Sequence, residues 1–88
     1  KIISVSLAGN VLGTIHGIKK LSDLARKNKA VMICDATKAV GHIPINVKEL
    51  GCDFLIFSGH KMCGPTGIGV LYGRAELLNV LQPSIFGG

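Results

Sequence analysis

The chain has 88 residues, which leaves room for at most one small domain. Lys and Arg number 10 against 5 Asp and Glu, but one tyrosine and no tryptophan leave no aromatic platform for stacking bases, which argues against a nucleic-acid surface. The three cysteines, Cys34, Cys52 and Cys63, are odd in number and form no CxxC pair, which argues against a disulfide framework and fits a reducing compartment, cytoplasmic or organellar.

Hydrophobic residues make up 48% of the chain and charged residues 17%. That is rich for a domain this short, which alone buries only roughly 60–65% of its unfolded surface. The sequence opens in apolar alternation at Lys1–Leu7 and closes at Gly87-Gly88. Over residues 1–88 it therefore reads as part of a larger domain, with no complete second domain. No apolar run reaches transmembrane length.

In chain order, Ile3, Val5 and Leu7 alternate with Ser4 and Ser6, a strand pattern ended by Ala8-Gly9-Asn10. Gly13 to Gly17 is a loop with Thr14 as a candidate cap. Ile18, Leu21, Leu24 and Ala25 share one helical face, and the helix should reach about Asn28 with basic residues near its C-terminus, where the helix dipole favours them. The densest basic group, Lys19, Lys20, Arg26, Lys27 and Lys29, falls on this helix as a solvated face.

Ala30 to Cys34 reads as a buried strand with Asp35 at its end. Ala36 to His42 suits a helical turn, and Val47 to Leu50 a short helix closed by Gly51. Phe54 to Phe57 and Gly69 to Tyr72 are further strands, and Arg74 to Leu81 has helical character stopped by Pro83. The order predicts an α/β layer.

Two of these strands end in polar residues, Asp35 and Ser58. Ligands in open α/β sheets gather at the C-terminal ends of strands, so Asp35, Ser58, His60 and Lys61 are expected in one crevice. A lysine in a partly apolar crevice becomes a nucleophile toward carbonyls. A carboxylate paired with such a lysine is what pyridoxal phosphate requires: the lysine holds the aldehyde and the acid partners the ring nitrogen. The glycines of Gly64-Pro65-Thr66-Gly67-Ile68-Gly69 are spaced GxxGxG, neither a dinucleotide fingerprint nor a Walker loop, and read as tight turns beside Lys61. His60 and Cys63 lack the second pair that would complete a metal site, and the cysteines read as buried apolar residues.

The segments Asp35-Ala36-Thr37-Lys38-Ala39-Val40-Gly41-His42, Cys52-Asp53-Phe54, Phe57-Ser58-Gly59-His60-Lys61 and Gly64 to Gly69 closely resemble the class V aminotransferase family, and within it the SufS-type cysteine desulfurases. The resemblance spans the chain and includes Val11-Leu12-Gly13-Thr14 and the closing Gly87-Gly88. It implies a fragment of the large domain of the aspartate aminotransferase-like fold. It implies that Lys61 forms the Schiff base with pyridoxal 5'-phosphate and shuttles protons, that Asp35 bonds the pyridinium nitrogen, that Ser58 and His60 hold the phosphate, and that Asn10 approaches the ring's phenolic oxygen.

The implied activity takes sulfur from L-cysteine, leaving L-alanine and an enzyme persulfide. It brings with it a homodimer, a sulfur-acceptor protein and a role in iron–sulfur cluster assembly. Three features depart from the family pattern. Lys38 stands where glutamine is usual beside the cofactor, Thr37 replaces a small alanine, and none of the three cysteines matches the persulfide position, which lies on a later segment of the family. The alternatives are another class V enzyme (a selenocysteine lyase, an epimerase or an aminotransferase), or a non-catalytic remnant or interaction module.

Overall fold

The computed structural model describes residues 1–87; Gly88, half of the closing glycine pair, lies outside the described residues. Four strands form one mixed sheet in chain order, β1 Ile2–Ser6, β2 Val31–Asp35, β3 Phe54–Ser58 and β4 Gly69–Gly73. The first three run parallel, and β4 pairs antiparallel with β3. Parallel neighbours need a crossover. The β1–β2 crossover contains α1, Ile18–Lys27, and the β2–β3 crossover contains a tight turn and the single-turn helix α2, Val47–Leu50. A third helix, the single turn α3 Ala75–Leu78, follows β4.

The pleat sorts the side chains. Ile3, Val5, Met32, Cys34, Leu55, Phe57 and Tyr72 alternate onto one face and join a core with Ile18, Ala25, Ala36, Ala39 and Val40. The other face, with Ile2, Val31, Ile33, Phe54, Ile56 and Leu71, forms an open apolar groove of about 540 Å³ whose side is closed by Leu77, Val80 and Leu81. Central β2 is thus apolar on both faces, as a strand made for a two-sided cover must be.

Asp53 stitches the strands together. Its Oδ2 accepts from the Met32 N–H at 2.8 Å, its Oδ1 accepts from Arg74 Nη1 at 3.1 Å, and its carbonyl accepts from the Arg74 N–H at 3.0 Å. Arg74 also reaches Glu76 at 2.9 Å.

The element order agrees with the sequence pattern, with local differences. Asp35 and Ser58 are the last residues of their strands rather than the first beyond them. On α1 the buried face is Ile18, Ser22 and Ala25, while Leu24 is 53% exposed. Steps of four and three from Ile18 reach Ser22 and Ala25, so Leu24 falls to the side of that stripe. Thr14 caps nothing: the N-cap of α1 is Gly17, without a side-chain bond, and the Thr14 carbonyl accepts from the Gly9 N–H at 2.8 Å to close a turn beside the Ala8–Ile15 bridge. The basic group from Lys19 to Lys29 is exposed. The helical run after Arg74 ends at Leu78, and the chain leaves through turns before Pro83. Proline keeps the residue before it out of helical geometry, and Val80 and Leu81 make no full helical turn.

Candidate active site

Because β1, β2 and β3 are parallel, their C-terminal ends lie along one sheet edge, and every candidate residue follows one of these ends. Asn10 is exposed in the turn after β1, Lys38 is half-buried in the turn after β2, and Ser58 closes β3. His60 and Lys61 ride on the single 3-10 turn Gly59–Met62 that directly continues β3.

The backbone of Asp35 is fixed from both sides. Its carbonyl accepts from the Leu7 N–H at 2.8 Å, and the next amide, Ala36, donates to the Ile56 carbonyl at 2.8 Å. Its Oδ1 accepts from the Thr37 N–H at 2.9 Å, a local turn that sets the carboxylate's direction. The register pairs Asp35 with Ile56, so Asp35 and Ser58 share the groove face of neighbouring strands. Ser58 and Thr37 line one hollow of about 300 Å³ at this edge, walled by Ile56, Phe57, Val70 and Leu71.

The lysine turn is held by backbone alone. The Gly59 N–H donates to the Ile68 carbonyl at 2.8 Å, and the Gly64 N–H donates back to the Gly59 carbonyl at 2.9 Å. A Cβ on Gly64 would stand 2.8 Å from that carbonyl oxygen, so only glycine lets the loop fold down onto the start of the turn. Cys63 ends the turn in the left-handed region at φ 64°, its N–H bonded to the Gly59 carbonyl. The glycine loop is therefore the tight support its spacing suggests.

Lys61 and His60, on the turn that continues β3, are both exposed. Asp35 is half-buried and, among the described residues, has no cationic partner; its carboxylate accepts from the Thr37 amide. Among the described residues no side-chain hydrogen bond joins Asn10, Asp35, Lys38, Ser58, His60 or Lys61 to one another. The sheet brings them to one edge and leaves their polar ends uncommitted.

The cysteines divide. Cys34 and Cys52 are buried and unbridged, and Cys63 is exposed, against the expectation of three buried residues, because it caps a turn at the rim. The neighbouring Cys52 thiol, together with burial, pushes the Cys34 thiol up, while Cys34 draws Cys52 down. Cys34, one residue before Asp35, is fully buried and packs in the core.

Two residues to which the sequence reading gave no structural role support this edge. Thr37 holds Asp35 through its amide, a role no side chain advertises. Gly41, at φ 78°, brings its backbone against Lys61: a Cβ there would stand 3.1 Å from the Lys61 carbonyl oxygen and 3.5 Å from Met62 Cα. A glycine directly after the apolar Ala39-Val40 pair was the available signal.

This α/β sheet edge bears a carboxylate, a hydroxyl, an imidazole and an amine, at the strand ends where open α/β sheets gather ligands. The sequence model of the family described as aminotransferase class-V matches residues 1–88, and the chain belongs to that family. It is 49% identical over its whole length to a protein named probable cysteine desulfurase from Halalkalibacterium halodurans, and covers 22% of that relative. Among solved structures it superposes on a cysteine desulfurase from Thermococcus onnurineus with TM-score 0.92 at 45% identity, and on the cysteine desulfurase CsdA from Escherichia coli with TM-score 0.94 at 39% identity. All of this chain and 22% of each of those chains are covered.

Proposed function

We propose that this chain is the lysine-bearing part of the cofactor site of a pyridoxal-phosphate cysteine desulfurase. The observation that carries the reading is the placement of Asp35 and of Ser58–Lys61 at the ends of adjacent parallel strands. The relatives' names point the same way, and as the chain spans 22% of their length, the activity is that of a longer polypeptide.

The donor set fits the cofactor. An ionised carboxylate is acceptor-only, and Asp35 spends one oxygen on Thr37, leaving Oδ2 for a protonated ring nitrogen. Ser58 and His60 offer hydrogen-bond donors to a phosphate, and Lys61 has no partner among the described residues, so its amine is free to anchor an aldehyde. Asn10 and Lys38 are the proposed donors to the ring oxygen. Bound there, pyridoxal phosphate supplies an electron sink for bond changes in the substrate. The chain's own part is to orient that ring through Asp35, to hold its phosphate through Ser58 and His60, and to take up and return a proton at Lys61 Nζ.

L-Cysteine is the proposed substrate and L-alanine the product. The sulfur would be received by a cysteine outside these residues and passed to an acceptor protein for iron–sulfur cluster assembly. A homodimer is the proposed assembly. A reducing compartment, cytoplasmic or organellar, suits the unbridged cysteines.

Borohydride reduction in the presence of pyridoxal phosphate, followed by peptide mass mapping, is expected to place the label on Lys61 and to leave Lys61→Ala unlabelled at this segment. Labelling elsewhere, or none, would refute the assignment.

A further inference from the structure

We infer that Gly41 is a positioning residue for Lys61, a spacer that fixes where the lysine turn stands relative to Asp35. The inference rests on the cofactor reading above. The turn that leaves Asp35 is rigid: Ala39 and Val40 donate their amides to the Ala36 carbonyl at 2.8 and 2.9 Å, and Ala36, Ala39 and Val40 are all buried in the core. One end of this turn is therefore anchored to the aspartate's strand. Its other end is Gly41, whose missing Cβ would meet the Lys61 carbonyl oxygen at 3.1 Å and Met62 Cα and Cβ at 3.5 Å.

The two sides of this contact are unequal. The Ala36–Val40 side is packed into the core, whereas the Gly59–Met62 turn buries none of its residues. A side chain at position 41 therefore shifts the lysine turn rather than the aspartate's turn. The displacement needed is a few tenths of an ångström, since Cβ contacts below about 3.4 Å are rarely tolerated. Gly41 thus sets the separation between the amine that anchors the cofactor and the carboxylate that orients its ring.

Backbone strain must be separated from this contact, because φ at Gly41 is 78°. Asparagine tolerates the left-handed region while adding a Cβ. Gly51 supplies the control. It has φ 67° at the end of α2, and its nearest would-be Cβ neighbours, Arg26 and Ser22, lie at 3.6 and 3.7 Å, away from the site. The test compares Gly41→Asn, Gly41→Ala and Gly51→Asn with wild type in the full natural polypeptide. The readouts are the visible absorbance titration with pyridoxal phosphate, the pH midpoint of that band, and amide hydrogen exchange at His60 to Cys63.

Both Gly41 variants should raise the cofactor's apparent Kd by about tenfold, move the pH midpoint, and speed exchange at His60 to Cys63 by several-fold. Gly51→Asn should match wild type in all three. Equal losses in Gly41→Asn and Gly51→Asn, or unchanged exchange at His60 to Cys63 in Gly41→Asn, overturn the inference whatever the cofactor does. A wild type that forms no band while exchange still rises in the Gly41 variants alone refutes the cofactor reading and supports the spacer contact.

Discussion

Asp35 owes its orientation to one amide. Its Oδ1 is satisfied by the Thr37 N–H, and that bond survives replacement by asparagine, whose side-chain oxygen accepts equally well. Asp35→Asn is therefore expected to leave the thermal midpoint nearly unchanged while weakening pyridoxal-phosphate binding about tenfold or more, because a neutral amide does not stabilise a protonated ring nitrogen. Asp35→Ala removes both contacts and should lower stability by ~1 kcal/mol as well, the usual net worth of one hydrogen bond. Paired thermal melts and cofactor titrations separate the two effects; a parallel fall of stability and binding in Asp35→Asn would show that the charge does nothing special. At this scale the sequence was legible for position, since Asp35, Ser58, His60 and Lys61 do follow or close the C-terminal ends of parallel strands. It gave no hint of the parts of Thr37 and Gly41, which are an amide and an absent methyl group. Backbone roles of that kind depend on where a distant segment passes, and Lys61 lies far along the chain from Gly41.

Among the elements, the strands and crossovers followed from apolar runs bounded by glycine and polar residues, while the ends of elements and the faces of α1 did not. Leu24 was placed on the core face by its spacing with Ile18, Leu21 and Ala25, yet the buried place went to Ser22 at 2% exposure, because the position four residues after Ile18 faces the core whatever occupies it. The motif Cys52-Asp53-Phe54 was visible as a family signature, but its physical reason appears only in three dimensions. Asp53 satisfies the Met32 amide on β2 and the Arg74 guanidinium beyond β4, so one carboxylate clips three strands together. Its side chain is 16% exposed, so loss of the carboxylate leaves the Met32 N–H short of a partner in a poorly hydrated place. Asp53→Ala is expected to cost about 1–3 kcal/mol in urea unfolding, the range for stranding a buried donor. Glu76→Ala, which removes only an exposed partner of Arg74, should fall within about 0.5 kcal/mol of wild type. Equal effects from the two would mean that the clip acts only through surface charge.

For the molecule as a whole, the sheet separates support from chemistry. One face is closed by α1 and the turns, the other is an apolar groove, and the polar candidates line the edge between them. The α/β class and the edge location were legible because periodicity and strand-end logic are properties of the chain itself. Lys61's exposure was not, since it depends on how the Gly59–Met62 turn packs, and that turn buries none of its residues.

The antiparallel pairing of β3 with β4 carries a consequence for the order of assembly. These two strands are joined by the short segment that carries Lys61, whereas β1–β2 and β2–β3 meet only after a long crossover has been arranged. Local pairings close with less entropic cost and form sooner than those that enclose long loops. Pulse-labelled hydrogen exchange during refolding should therefore protect the amides of β3 and β4 before those of β1 and β2, and simultaneous protection would contradict this. On that order the turn that carries Lys61 is set before the strand that carries Asp35 finds its neighbours, so this sheet edge is built in the reverse of the order in which the chain is read.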